Sequence, residues 1–168
     1  WNYMRVEPKY YFHKVKTEEE KFNLCAELVK YFPKPMIIYT TEVKEEAVPL
    51  FQKIKLNGFK SIELFTGKTS NIDRQRIISE WALGNIDIIV ATSAFGVGID
   101  KADVRTVMHA TMPETVERFY QEVGRAGRDG RCANSIIIYC QEDIKKSLSI
   151  AKGKSGDNVG EENAFQRW

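Results

Sequence analysis

Cysteine is scarce in this chain and poorly placed for its usual structural roles. Cys25, Cys132 and Cys140 are an odd number with no CxxC pair, which excludes a zinc ribbon and a complete disulfide framework. They are expected to be buried thiols in a reducing compartment. A strong charge of one sign is also missing. The formal net charge is only +2, so any binding to a polyanion has to come from local clustering rather than a global field. No stretch is long and apolar enough to cross a membrane, and Trp1-Asn2-Tyr3-Met4-Arg5 shows neither an initiator methionine nor the apolar core of a signal peptide. The chain therefore reads as a piece of a longer intracellular protein. It contains no internal repeat and no low-complexity tract.

Several signatures of chemistry are absent too. Gly67-Lys68-Thr69 looks like the tail of a phosphate-binding P-loop, but GxxxxGK[ST] needs glycine where the chain has Ile62, inside a strand pattern. Gly96-Val97-Gly98 opens like GxGxxG, yet the third glycine would fall at Lys101. No DExH or DExD sequence is present to hold magnesium. His13 and His109 sit in strand patterns and read as residues with satisfied hydrogen bonds, so no metal ligand is expected.

What remains is an ordinary globular chain. With 168 residues, 43% hydrophobic and 29% charged, it forms one domain able to bury about two-thirds of its unfolded surface. Tyr10 to Val15 reads as a strand. Thr17 caps a helix with three glutamates in its first turn, which Pro33 and Pro35 close. Met36 to Tyr39 is a short buried strand, followed by a helical pattern from Glu42 to Lys55 that Pro49 weakens. Ser61 to Phe65 is a strand, Asp73 to Leu83 a helix with Ile77, Ile78 and Trp81 on its apolar side, and Ile86 to Ala91 a continuous β-branched run. Val104 to His109, Glu114 to Val123 and Ser135 to Cys140 continue the rhythm, and a last helix starts between Asp143 and Ile150. Such alternation predicts an α/β domain with a mostly parallel central sheet and helices on both faces, and ligands at the carboxyl ends of its strands.

Two stretches carry chemistry. Gln121-Glu122-Val123-Gly124-Arg125-Ala126-Gly127-Arg128-Asp129-Gly130 sets two arginines three residues apart behind an amphipathic run. If that run is helical, residues three apart are neighbours on one face, and both guanidinium forks converge on one anion. Ala91-Thr92-Ser93-Ala94-Phe95-Gly96-Val97-Gly98-Ile99-Asp100 follows the strongest strand with hydroxyls and glycines whose backbone N–H groups suit a phosphate. There Asp100 offers a carboxylate to a ribose hydroxyl.

These stretches resemble a known family. Ala91 to Arg105 is similar to motif V, and FYQEVGRAGRDG from Phe119 to Gly130 to motif VI, of RecQ-type superfamily-two DNA helicases. The resemblance runs from about Arg5 to Tyr139 and covers the second RecA-like motor domain, a three-layer fold. It implies residues 1–16 as the lead-in from a preceding motor domain with the first strand, 17–152 as the helicase C-terminal domain, and 153–168 as a linker and the start of a following element. It implies Arg128 as an arginine finger on ATP, assisted by Arg125, with Gln121 coupling the two domains. Asp100 and Gly98 would lie beside the nucleotide. Thr92, Ser93 and Gly96 would meet the phosphates of the tracked strand, as would Thr66 and Gly67, and motif IV contact would fall to Thr40 or Thr41.

The partners implied are single-stranded or partly duplex DNA and the first RecA-like domain of the same chain, which would hold most of the ATP and its Mg2+. By the same resemblance the whole protein would be a 3′–5′ helicase of DNA repair, cytoplasmic in a prokaryote or nuclear in a eukaryote. This chain alone would not hydrolyse ATP. Where the family commonly has Ser-Arg after the motif IV strand, this chain has Thr41-Glu42-Val43, and Glu42 would repel a phosphate. A scaffold or nucleic-acid-binding module with a vestigial motor, and an RNA helicase domain, are the alternative readings.

Overall fold

The central strands are buried residue after residue while successive side chains point to opposite faces, so the sheet has to be covered on both. The computed structural model describes residues 8–96 and 100–153, with side chains described as far as residue 149. Strands β1 (Pro8–Lys14), β2 (Met36–Tyr39), β3 (Ile62–Phe65), β4 (Ile88–Ala91), β5 (Thr106–His109) and β6 (Ala133–Tyr139) form a sheet in the order β1-β6-β5-β2-β4-β3. Every ladder within it is parallel. The expected α/β class is thus the one observed.

Met36, Ile38, Ile88, Val90, Met108, Ile136 and Ile138 face one core, against Cys25 and Ala26 of helix α1 (Glu18–Leu28) and Leu50 and Ile54 of α2 (Val48–Leu56). Their sequence neighbours Ile37, Tyr39, Ile89, Ala91 and Val107 face the other, against Ile77 and Trp81 of α3 (Asn71–Leu83). On that second face Phe119 and Val123 of α4 (Val116–Val123) pack against Ile137. A last helix, α5 (Gln141–Gly153), follows β6. Residues 1–7 and 154–168, which include most of the expected linker, lie outside the described residues.

Helix starts follow from hydroxyl caps. Thr17 accepts from the Glu20 N–H at 3.1 Å, Ser70 from Asp73 at 3.1 Å and Thr115 from Arg118 at 3.2 Å. Gly84 ends α3 in the left-handed conformation. Pro49, expected to weaken a helix over this stretch, lies where its winding changes: Val43–Ala47 forms a π turn that runs directly into α2, and the proline falls in the first turn of α2.

Charge also holds the first face together, through contacts the sequence reading missed. Lys21 is fully buried and donates to Asp143 Oδ1 at 2.6 Å, with Glu46 Oε1 at 4.0 Å. Glu46, equally buried, accepts from Lys146 Nζ at 3.1 Å and from the N–H groups of Thr41 and Glu42 at 2.9 and 3.0 Å. Burial pulls the Lys146 pKa down, but Glu46 and Glu18 more than offset this and leave it above the usual lysine value. Three segments far apart in sequence, α1, the π turn and α5, are joined by this network.

Candidate functional site

The sheet order places β4 on one side of β2 and β5 on the other, so the chain reverses its direction of growth at β2. Parallel α/β sheets bind ligands outside the carboxyl ends of strands at such a point. Thr40 and Thr41 follow β2, Thr66 and Gly67 follow β3, and Thr92, Ser93 and Gly96 follow β4. The residues picked from sequence therefore share one edge of the sheet.

Their exposure differs. Thr40, Thr66 and Thr92 are only 4–6% exposed. The Thr40 hydroxyl lies 3.4 Å from Ala91 O, and Thr66 Oγ1 accepts from the Lys68 N–H at 3.1 Å. Thr41 Oγ1 pairs with Thr111 Oγ1 at 3.0 Å. Ser93, Gly67 and Lys68 are exposed and present the outer surface of the edge. The loop after β4 is anchored by Phe95, which is 1% exposed and meets Phe65 and Trp81 at centroid distances of 4.9 and 6.2 Å. Burying such a ring stabilises by roughly 1.5–3 kcal/mol, enough to pin the exposed hydroxyls around it. Gly98 lies outside the described residues.

The arginine pair converges, but not by the expected route. Helix α4 ends at Val123, so Arg125 and Arg128 are not stacked on a helix face; they sit in the turns that follow. Gly127 takes φ +62° there, and a Cβ on it would stand 2.8 Å from Arg131 O. The turn is pinned to the crossover between β4 and β5: Gly127 N–H donates to Val104 O at 2.9 Å and Asp129 N–H to Ala102 O at 3.2 Å. Arg105 pairs with Asp129, and its hydrogen bond holds that carboxyl below the ordinary aspartate range.

From this turn Arg128 Nη1 reaches Asp100 Oδ1 at 2.7 Å, and Arg125 Nη2 donates to Gly96 O at 2.7 Å. Both guanidiniums line a cleft of about 640 Å³ with Gly96, Asp100, Tyr120, Gln121 and Gly124. The Arg128–Asp100 pair is exposed, at 38% and 84%, and such a pair adds roughly 0–1 kcal/mol. Arg125 Nε is buried with no partner among the described residues.

A second cleft, of about 440 Å³, adjoins the first through Gly96, Gln121 and Arg125, and adds Ser93, Arg118 and Glu122. It rests on a cluster the sequence reading passed over. His109 Nε2 and Glu122 Oε2 are 2.9 Å apart, Arg118 Nε donates to Glu122 Oε1 at 3.1 Å, and Arg118 also pairs with Glu114 at 3.2 Å. The four-residue spacing of Glu114, just before the Thr115 cap, and Arg118 and Glu122 on α4 was the available signal. His109 was expected to be satisfied in its strand; Nε2 is, whereas Nδ1 is buried without a partner among the described residues. Of the cysteines, Cys25 and Cys140 are buried as expected, but Cys132 is exposed. No group of three or more His, Cys, Asp or Glu that could hold a metal ion occurs among the described residues.

Comparison with known proteins places this geometry. The family described as helicase conserved C-terminal domain matches residues 20–130. ATP-dependent helicase SGS1 of Saccharomyces cerevisiae is 34% identical over 94% of this chain, and ATP-dependent DNA helicase hus2/rqh1 of Schizosaccharomyces pombe is 33% identical over 84%. ATP-dependent DNA helicase RecQ of Bacillus subtilis is 32% identical over 78%. The chain spans 11%, 13% and 22% of the lengths of these relatives.

Among solved structures, the C-terminal domain of the DEAD-box protein Dbp5 has a TM-score of 0.71 at 24% identity, covering 91% of this chain and 88% of that one. The E. coli DEAD-box protein SrmB, bound to a regulator of ribonuclease activity, has a TM-score of 0.73 at 22% identity, covering 93% and 90%. At these identities the structures show the fold alone, that of RecA-like helicase C-terminal domains. The fold and the matched residues agree: the chain belongs to the helicase conserved C-terminal domain family.

Proposed function

We propose that this chain is the second motor domain of an ATP-dependent RecQ-like DNA helicase, and that Arg128 is its arginine finger. The observation that carries the reading is the cleft in which Arg125, Arg128, Gln121 and Asp100 meet beside the loop after β4. A guanidinium fork matches the oxygens of a γ-phosphate and keeps its charge at any working pH. In phosphoryl transfer such a finger contributes ~10³ to 10⁵ in rate. Asp100 holds Arg128 in readiness through a weak, solvent-screened pair that a triphosphate can displace. Arg125 assists, and Gln121 relays closure of the cleft between the domains.

The cleft offers a metal ion one carboxylate, that of Asp100, already paired with Arg128. The described residues therefore do not make a magnesium site, and the metal falls to the first motor domain with most of the ATP contacts. This domain by itself does not hydrolyse ATP. Ser93, Gly96, Gly67 and Thr41 form its half of the track for single-stranded or partly duplex DNA, which it follows 3′–5′ by family resemblance. The buried Thr40, Thr66 and Thr92 shape the edge from beneath.

Arg128→Ala in the intact protein is expected to lower DNA-stimulated ATP hydrolysis by ~10³ or more with an unchanged melting temperature. Undiminished turnover overturns the role of the finger. If RNA outcompetes DNA in stimulating hydrolysis, the chain is an RNA helicase domain instead.

A further inference from the structure

Tyr39 ends β2 at 2% exposure, between the loop after β4 and the turn after α4. Its hydroxyl donates to Phe95 O at 3.1 Å. The next carbonyl along the chain, that of Gly96, accepts from Arg125 Nη2 at 2.7 Å. Consecutive peptide oxygens of one loop are thus held by a phenol from the sheet and by a guanidinium from the arginine turn. The phenol is itself fixed, because its ring stacks on His109 at 5.5 Å and 24°, and His109 pairs with Glu122 of α4. Burial, offset in part by the neighbouring Arg125, pushes the Tyr39 pKa up, so the hydroxyl remains a donor at any working pH.

We propose that Tyr39 is a positioning residue that ties the nucleic-acid loop after β4 to the arginine turn, so that movement of one is transmitted to the other. The proposal rests on the functional reading above. Without the phenol, the Phe95 carbonyl loses its buried donor, and a single bond, Arg125 to Gly96 O, is left to carry movement between the loop and the arginine turn. Tyr39 touches neither proposed ligand and acts only through the two loops.

The test is Tyr39→Phe in the intact protein, which removes one oxygen and keeps the stack on His109. Loss of a buried hydrogen bond of this kind is expected to raise the DNA concentration for half-maximal stimulation of ATP hydrolysis roughly fivefold to thirtyfold. Hydrolysis without DNA and the KM for ATP are expected to stay unchanged. Amide hydrogen exchange of residues 93–96 should rise while that of β2 and β5 does not, a split that general loss of stability would not produce. Unchanged DNA dependence together with unchanged exchange overturns the proposal.

A second variant, Gly96→Ala, strains the same joint from the loop side, since its Cβ would stand 3.0 Å from Arg125 Nη2. It is expected to raise amide exchange of residues 93–95 likewise, a readout that loss of a DNA contact by Gly96 itself would not move. Wild-type exchange of residues 93–95 in Gly96→Ala overturns the tie even if Tyr39→Phe fails to fold. Arg128→Ala run in parallel separates the two claims: if it retains turnover, the functional reading falls, while the exchange measurement still decides the role of Tyr39.

Discussion

Lys21 and Arg125 are both cations that folding removes from water, the first wholly and the second in part, and their surroundings differ in kind. Lys21 is fully buried, with Asp143 at 2.6 Å and Glu46 at 4.0 Å, and those carboxylates are satisfied in turn by Lys146 and by backbone N–H groups. Arg125 holds one carbonyl, leaves Nε without a partner among the described residues, and shares an open cleft with an Arg128 whose carboxylate partner is 84% exposed. A closed network in low dielectric is stiff, and removing one member strands a charge. An open pair of forks gives up little when its partner is exchanged for another anion. The charges packed against the first face of the sheet are closed off, whereas those of the arginine turn stay open to exchange.

This contrast can be broken experimentally, and the largest effect concerns the forks. Arg128→Lys keeps the charge but loses the bidentate geometry, so DNA-stimulated ATP hydrolysis by the intact protein is expected to fall ~100-fold or more with an unchanged melting temperature. Wild-type turnover in that variant means that charge alone suffices, and the contrast loses its geometric half. Asp143→Ala should act oppositely, removing ~3–5 kcal/mol of stability in urea unfolding because Lys21 is left without its closest partner. A loss below ~1 kcal/mol would show the network to be no more stabilising than a surface pair.

Asp100→Asn is expected to change stability by about 0.5 kcal/mol or less, since its bond to Arg128 lies in solvent. A larger shift in the unfolding midpoint means the pair is structural rather than held in readiness. The smallest test uses the thiols. Burial raises the Cys25 pKa to about 12, whereas Cys132 is exposed, so alkylation at pH 8 should label Cys132 quickly and Cys25 only on unfolding. Rapid labelling of Cys25 would show that the core around Lys21 opens readily.

Much of the architecture was legible because its causes are local. Thr17, Ser70 and Thr115 cap helices through groups three residues away, and the alternation of Met36 to Tyr39 across the two faces is visible in four letters. Motif spacing likewise pointed to Arg125, Arg128 and Asp100. The sequence could not show that α4 stops at Val123 and that a left-handed Gly127 turns the arginines into the cleft. Nor did it separate the exposed Ser93 from the buried Thr92 beside it, because the anchoring of that loop comes from Phe65 and Trp81. Lys21 did leave a trace, since it shares a helix stripe with Cys25 and Leu28, where a lysine is out of place without a buried partner.

By itself the sequence determined the order and kind of the elements, the two-sided sheet and the identity of the two arginines, because these depend on side-chain type and on neighbours within a turn or two. Only the tertiary structure decided which charges are closed off and which stay open. Lys21 meets Asp143 across 122 residues, Tyr39 meets Phe95 across 56, and Arg125 meets Gly96 across 29. Contacts at such separations are set by strand order and register, which no local pattern encodes.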